Sequence, residues 1–243
     1  MKKTFLTLLL AVMFILPLNA RTFVLVTGVS NYGDEVNNLS QTTKDAKRFR
    51  EVMLQQTKDV SILTSSNVTR ANVLEKLRAI CNRAQEGDKV IFFYSGHGMP
   101  GAICGYDAPI SYDDLTGVLA TSKASQKICF IDACHAGTMA NAASKAGNKD
   151  WAKADAQQKG QAFFVSSRAE EVSRENPILG AGFFTAALLK GIRGKSDTNA
   201  DRKVTVLELF KYIHADVVKR SKKTQHPQLI APKEMHNAIV AEW

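Results

Sequence analysis

Lys127-Ile-Cys-Phe-Ile-Asp-Ala-Cys-His-Ala-Gly137 is a short apolar run that empties into a loop of small and reactive residues. Its first half suits a strand buried on both faces, because such strands read as continuous hydrophobic runs. Its second half delivers Asp132 and Cys134 to the rim of a sheet. In open α/β sheets ligands bind outside the carboxyl ends of the strands, so that rim is where chemistry is expected. The pattern occurs once before, where Val90-Ile-Phe-Phe-Tyr-Ser95 empties into Gly96-His97-Gly98. One strand hands a histidine to a loop and another hands over a cysteine. The thiolate is the reactive form of cysteine, and a free thiol titrates near a pKa of about 8.5. A neighbouring imidazole that takes its proton makes it a nucleophile at neutral pH. The two loops are therefore expected to face each other.

Outward from these strands, apolar runs alternate with helical spacing. Residues 22–27 form a strand ending at Gly28, and a loop follows over 29–38. The spacing of Ala46, Phe49, Val52 and Met53 predicts a helix over 42–55. Residues 60–64 read as a strand. Thr69 caps a helix over 70–84 with Val73, Leu74, Leu77 and Ile80 as its stripe. The Gly/Pro-rich stretch 98–109 reads as a loop, and Ser111 caps a short helix. Residues 162–166 read as a strand, and 183–192 and 206–218 as helices. Residues 227–232 close the chain as loop, and 238–240 as an edge strand. Strands alternating with helices imply parallel pairing with helices on both faces of the sheet.

The 243 residues suit one domain, and 45% hydrophobic with 23% charged residues implies a packed core. The charge of +9 is scattered and not interleaved with aromatics, which implies a solvated basic surface and no nucleic-acid partner. Residues 1–20 read as a secretory leader: Lys2-Lys3, an apolar run over 5–18, then Asn19-Ala20. The run is short for a membrane anchor and lacks a basic stop, so the mature domain spans 21–243 with no membrane span. That places the protein in the periplasm or outside the cell. Cys81 sits on a helical pattern and Cys129 inside a strand, so both read as small core hydrophobes rather than disulfide partners.

Phe93-Tyr-Ser-Gly-His-Gly98 and Ile131-Asp-Ala-Cys-His-Ala-Gly137 together resemble the two catalytic motifs of the caspase-like cysteine peptidases, and most of all those of bacterial metacaspases (orthocaspases). Val26-Thr-Gly-Val-Ser-Asn-Tyr32, Lys44-Asp-Ala-Lys47 and Phe164-Val-Ser-Ser-Arg-Ala-Glu-Glu171 extend the resemblance. It implies an α/β fold of the caspase-like (haemoglobinase-type) kind, a three-layer α/β/α sandwich with a mainly parallel central sheet. A large-subunit-like part would span about 21–140, a lysine-rich linker about 141–160 and a small-subunit-like part about 161–243. Cys134 would be the nucleophile, His97 the general base and acid, and the N–H groups of Gly98 and Cys134 the oxyanion donors.

The resemblance also implies specificity. Metacaspase-like members take Arg or Lys at the cleaved position and hold it with acidic residues. Asp45 and Asp132 match that pocket, with Ser95 lining it. Two carboxylates can grip a guanidinium through paired, charge-assisted hydrogen bonds. On the residues alone, Asp45 reads as a first-turn helix carboxylate and Asp132 equally well as a loop cap. The implied partners are peptides or proteins cleaved after Arg or Lys. The alternative is a catalytically inactive caspase-like binding or regulatory module.

The chemistry needs no cofactor, but calcium activation is an open expectation with two candidate sites. Asp197, Asn199, Asp201 and Glu208 fall at liganding positions of an EF-hand-type loop, with Arg202 where that loop needs glycine. Thr205 and Glu208 equally form a capping box. The resemblance points instead to Asp107, Asp113 and Asp114. Residues 136–160 form a long polar loop, and Lys145, Lys149, Lys153 and Lys159 in it are candidate self-processing sites.

Overall fold

The computed structural model describes residues 20–33, 38–133, 160–167, 175–176 and 181–243, with the backbone alone at 175, 176 and 181. The leader (1–19), Cys134, and the linker lysines Lys145, Lys149, Lys153 and Lys159 lie outside the described residues.

The centre is a six-stranded sheet. In chain order its strands are β1 (Thr22–Gly28), β2 (Val60–Thr64), β3 (Lys89–Ser95), β7 (Gln126–Asp132), β8 (Gln161–Val165) and β12 (Gln228–Ile230). In space they run β12-β8-β7-β3-β1-β2. All pairings are parallel except that of β12 with β8. The helices are α1 (Thr42–Met53), α2 (Arg70–Arg83), α3 (Tyr112–Ala120), α4 (Phe183–Lys190) and α5 (Val206–Arg220).

Alternate residues of each strand point to opposite faces, and here both faces are apolar. Phe23, Leu25, Phe92, Cys129 and Ile131 pack with α2 and α3 on one side. Val24, Val26, Phe93, Phe130 and Phe164 pack with α1, α4 and α5 on the other. The result is the expected three-layer α/β/α sandwich. Its second layer interface is anchored by aromatics: the Phe49 ring stacks on Phe93 at 4.4 Å, and Phe130 meets Phe164 at 4.8 Å.

The expected caps are present. Thr69 Oγ1 accepts from Asn72 N–H, Ser111 Oγ from Asp114 N–H, and Thr205 with Glu208 closes a full capping box. Three features differ from the reading of the sequence. Residues 98–109 are not plain loop: β4 (Gly98–Met99), β5 (Ala102–Cys104) and β6 (Pro109–Ser111) make a small antiparallel sheet. Residues 228–230 are not loop either but the edge strand β12. The strand expected at 238–240 is β13 (Ile239–Glu242), which leaves the central sheet and pairs with β11 (Lys203–Thr205). The remaining pair is β9 (Glu175–Asn176) with β10 (Ala181–Gly182).

The strand order reverses direction between β1 and β3: the chain moves outward from β1 to β2, then returns to the other side of β1. Such a switch point opens a crevice at the carboxyl ends of those two strands.

Candidate active site

Ser95 of β3 lies opposite Gly28 of β1 and Asp132 of β7 in the last register pairs at that crevice. His97 follows two residues beyond Ser95, and Cys134 two residues beyond Asp132. The two adjacent parallel strands thus end at one rim, with His97 just beyond the first, while Cys134 lies outside the described residues. Gly96 N–H donates to the Asp132 carbonyl at 3.1 Å and ties the two strand ends together.

The backbone of Ala133, the last described residue before Cys134, is clamped. Ala133 N–H donates to Ser166 Oγ at 3.0 Å, and the Ala133 carbonyl accepts from the same hydroxyl at 2.9 Å. Ser166 N–H donates to the Ile131 carbonyl at 3.0 Å. Ser166 is itself held by Gln225, whose Nε2 donates to its carbonyl at 2.8 Å, and both residues are fully buried.

His97 is held by its peptide group and by its ring. Its N–H donates to Tyr32 Oη at 2.7 Å, and its carbonyl accepts from Tyr94 Oη at 2.7 Å and from Cys104 N–H at 2.9 Å. The Tyr32 ring lies 4.8 Å from the imidazole. Burial pushes the Tyr94 hydroxyl well above its ordinary pKa, so it stays a protonated donor. Gly98 begins β4, opposite Ile103, directly after this fixed histidine.

The acidic residues do converge. Asp45 sits in the first turn of α1 and Asp132 at the end of β7, and both are buried. Gly28 makes this convergence possible: a Cβ there would lie 2.6 Å from the Thr42 carbonyl, so only glycine lets α1 close onto β1. Both carboxylates meet the start of α4. Gly182 N–H donates to Asp45 Oδ2 at 3.2 Å. Thr185 donates to Asp132 Oδ2 through both its hydroxyl, at 2.7 Å, and its N–H, at 3.2 Å. Arg48 Nη1 stands 4.0 Å from Asp45 Oδ1. Ser95 is buried at the end of β3, between Gly28 of β1 and Asp132 of β7.

In the two sets considered for calcium, several side chains are engaged within the protein. Glu208 accepts from the N–H and hydroxyl of both Thr198 and Thr205, so the capping box occupies it. Arg202 takes the left-handed turn that glycine would favour, at φ 64°, and donates its N–H to Asp197 Oδ2 at 3.0 Å. Asn199 and Asp201 bond to each other. Asp107 Oδ1 caps α2 through Arg70 N–H. The Ser111 hydroxyl and Arg70 hold the Asp114 carboxyl below its ordinary pKa, and Asp113 lies beside it in the first turn of α3. Among the described residues no three His, Cys, Asp or Glu side chains gather as a metal site.

Two of the described thiols, Cys81 and Cys129, are poor competitors for the nucleophile's role. Burial pushes Cys81 up to about 11 and Cys129 further still. Cys104 is partly buried, and none of Cys81, Cys104 and Cys129 is in a disulfide.

Comparison with known proteins bears on this arrangement. The model of the caspase domain family matches residues 21–236. The crystal structure of caspase-1 from Spodoptera frugiperda is similar, with a TM-score of 0.65 at 14% identity, covering 92% of each chain. That of a protein from Geobacter sulfurreducens is similar too, with a TM-score of 0.64 at 17% identity, covering 89% of this chain and 97% of the other. At such identities the structural likenesses carry the fold alone. No curated protein sequence matches.

Sequence reading missed Ser166, Gln225, Gly182 and Thr185 as parts of the site. Ser166 and Ser167 stand in a quoted motif, which is the one signal that could have found them.

Proposed function

The chain belongs to the caspase domain family of cysteine peptidases, and from that premise we propose that it is an exported endopeptidase cutting after Arg or Lys with a Cys134/His97 pair. The observation that carries this is the Ser95–Asp132 register, which starts both catalytic loops from one level of adjacent strands.

In this reading the His97 imidazole takes the Cys134 proton as the sulfur attacks the peptide carbonyl. The N–H groups of Gly98 and Cys134 stabilise the oxyanion. One such donor is worth about 2.7–4 kcal/mol of barrier. The tetrahedral adduct collapses to a thioester as the imidazolium gives its proton to the leaving amine. Water, deprotonated by the imidazole, then hydrolyses the thioester and restores the thiol. Asp45 and Asp132 receive the substrate's cation, and their convergence on α4 supports that assignment. The leader over 1–20 directs export to the periplasm or the medium.

A fluorogenic peptide panel with Arg, Lys or Asp at the cleaved position tests this. It is run under reducing conditions, with and without calcium, against wild type and Cys134→Ala. Turnover of Arg and Lys peptides by wild type alone is expected. No turnover in any condition points to the inactive binding module, and preference for Asp removes the acidic pocket. Self-processing at Lys145, Lys149, Lys153 or Lys159 is expected in wild type and absent in Cys134→Ala.

A further inference from the structure

The carboxylates that would select the substrate are held by a helix from the other side of the linker. Asp45 and Asp132 precede residues 141–160, whereas α4 follows them. The first-turn N–H groups of a helix have no partner within it and are usually met by a side chain at the N-cap. The N-cap of α4 is Gly182, which has no side chain, and the helix has no side-chain cap of its own. Asp132 takes that role from another element. Its Oδ2 receives both the N–H of Thr185, which caps the helix, and the Thr185 hydroxyl, which capping does not require. Gly182 is needed for the approach: a Cβ there would lie 2.7 Å from Asp132 Oδ2.

We propose that Thr185 is a positioning residue for substrate specificity: its hydroxyl fixes the rotation of the Asp132 carboxylate, so that Asp132 and Asp45 present one cation-binding pocket. This rests on the acidic-pocket reading above. A carboxylate pinned at one oxygen has its other oxygen set in direction, and a paired grip on a guanidinium depends on that direction. Thr185 is fully buried, so water does not replace the hydroxyl if it is removed. The pocket is then built from both sides of the linker, and it exists only while α4 is seated against β7 and α1.

The test compares peptides with Arg and with citrulline at the cleaved position. Citrulline has nearly the same shape and no charge. Thr185→Val is expected to lower the Arg-to-citrulline ratio of kcat/KM by about ten-fold, from loss of one hydrogen bond to a charged group. The loss should appear in KM for the Arg peptide more than in kcat. Thr185→Ser, which keeps the hydroxyl, should retain the ratio. If Thr185→Val does not fold, Thr185→Ala removes the hydroxyl without bulk and reads the same ratio. Variants that lose both activities in proportion, or keep the full wild-type ratio, overturn the role of Thr185. A wild type with no preference for Arg over citrulline overturns the acidic pocket itself.

Discussion

Ser95 and Asp132 face each other as the last register pair of β3 and β7, and the residues proposed for catalysis lie two positions beyond each. The sheet therefore fixes the two strand ends from which the loops carrying His97 and Cys134 depart. What remains for the surroundings is to hold the two loops still, and several side chains can be tested for that duty.

Ser166 is one. Its hydroxyl bonds both the N–H and the carbonyl of Ala133, next to Cys134. Ser166→Ala should lower kcat by about ten-fold with little change in KM, since a buried donor or acceptor left unmade costs about 1–3 kcal/mol. Steady-state kinetics on an Arg peptide checks this, and an equal fall in stability without a kcat effect would assign the serine to folding alone.

Tyr32 is another. Its hydroxyl accepts the His97 N–H at 2.7 Å while its ring rests against the imidazole. Tyr32→Phe keeps the ring and removes the acceptor. A fall in kcat of about five- to ten-fold is expected, from one unmade, partly buried hydrogen bond. Unchanged turnover would show that the Tyr94 and Cys104 bonds to the His97 carbonyl suffice.

Phe130 tests the layer beneath the site. It is fully buried between α1 and the sheet, with its ring 5.7 Å from Phe49. Phe130→Ala should destabilise the fold by about 3–5 kcal/mol, measured by urea unfolding. A loss under 1 kcal/mol, small against that figure, would mean that the core can collapse around the gap.

Lys89 gives a pH dependence at the opposite edge of the sheet. Burial lowers its pKa from 10.5 to about 8 in the folded state, and Glu242 partly offsets this. Between those values the unfolded chain holds a proton that the folded chain has released. Stability therefore rises with pH through that window, and below it burial of the charged amine is a cost. Lys89→Met should stabilise the protein at neutral pH by on the order of 1–3 kcal/mol. That advantage should shrink as the pH climbs toward 10.5. Denaturation of both proteins at neutral and alkaline pH measures it.

The central strands were legible because apolar runs such as Val90–Tyr94 have nowhere to go but a two-sided core. β12 was not, because Gln228–Ile230 is short, partly exposed and framed by Pro227 and Pro232, so its pairing with β8 leaves no hydrophobic run. The hairpins after His97 were hidden for a similar reason: each strand has two or three residues among glycines and prolines. Within the site, His97 and Asp132 announce themselves at strand ends. Thr185 and Gln225 do not, because their partners lie 53 and 59 residues away and no local pattern encodes a tertiary bond.

The most direct measurement is covalent capture of the nucleophile. The protein is treated under reducing conditions with a peptidyl-arginine acyloxymethyl ketone, and the modified peptide is mapped by mass spectrometry. The account predicts one adduct, on Cys134, that is lost in His97→Ala and blocked by an excess of Arg peptide. Cys81 and Cys129 should stay unlabelled because burial keeps them protonated. An adduct on Cys104 alone, or labelling of Cys134 that is indifferent to His97 and to the Arg peptide, would contradict it.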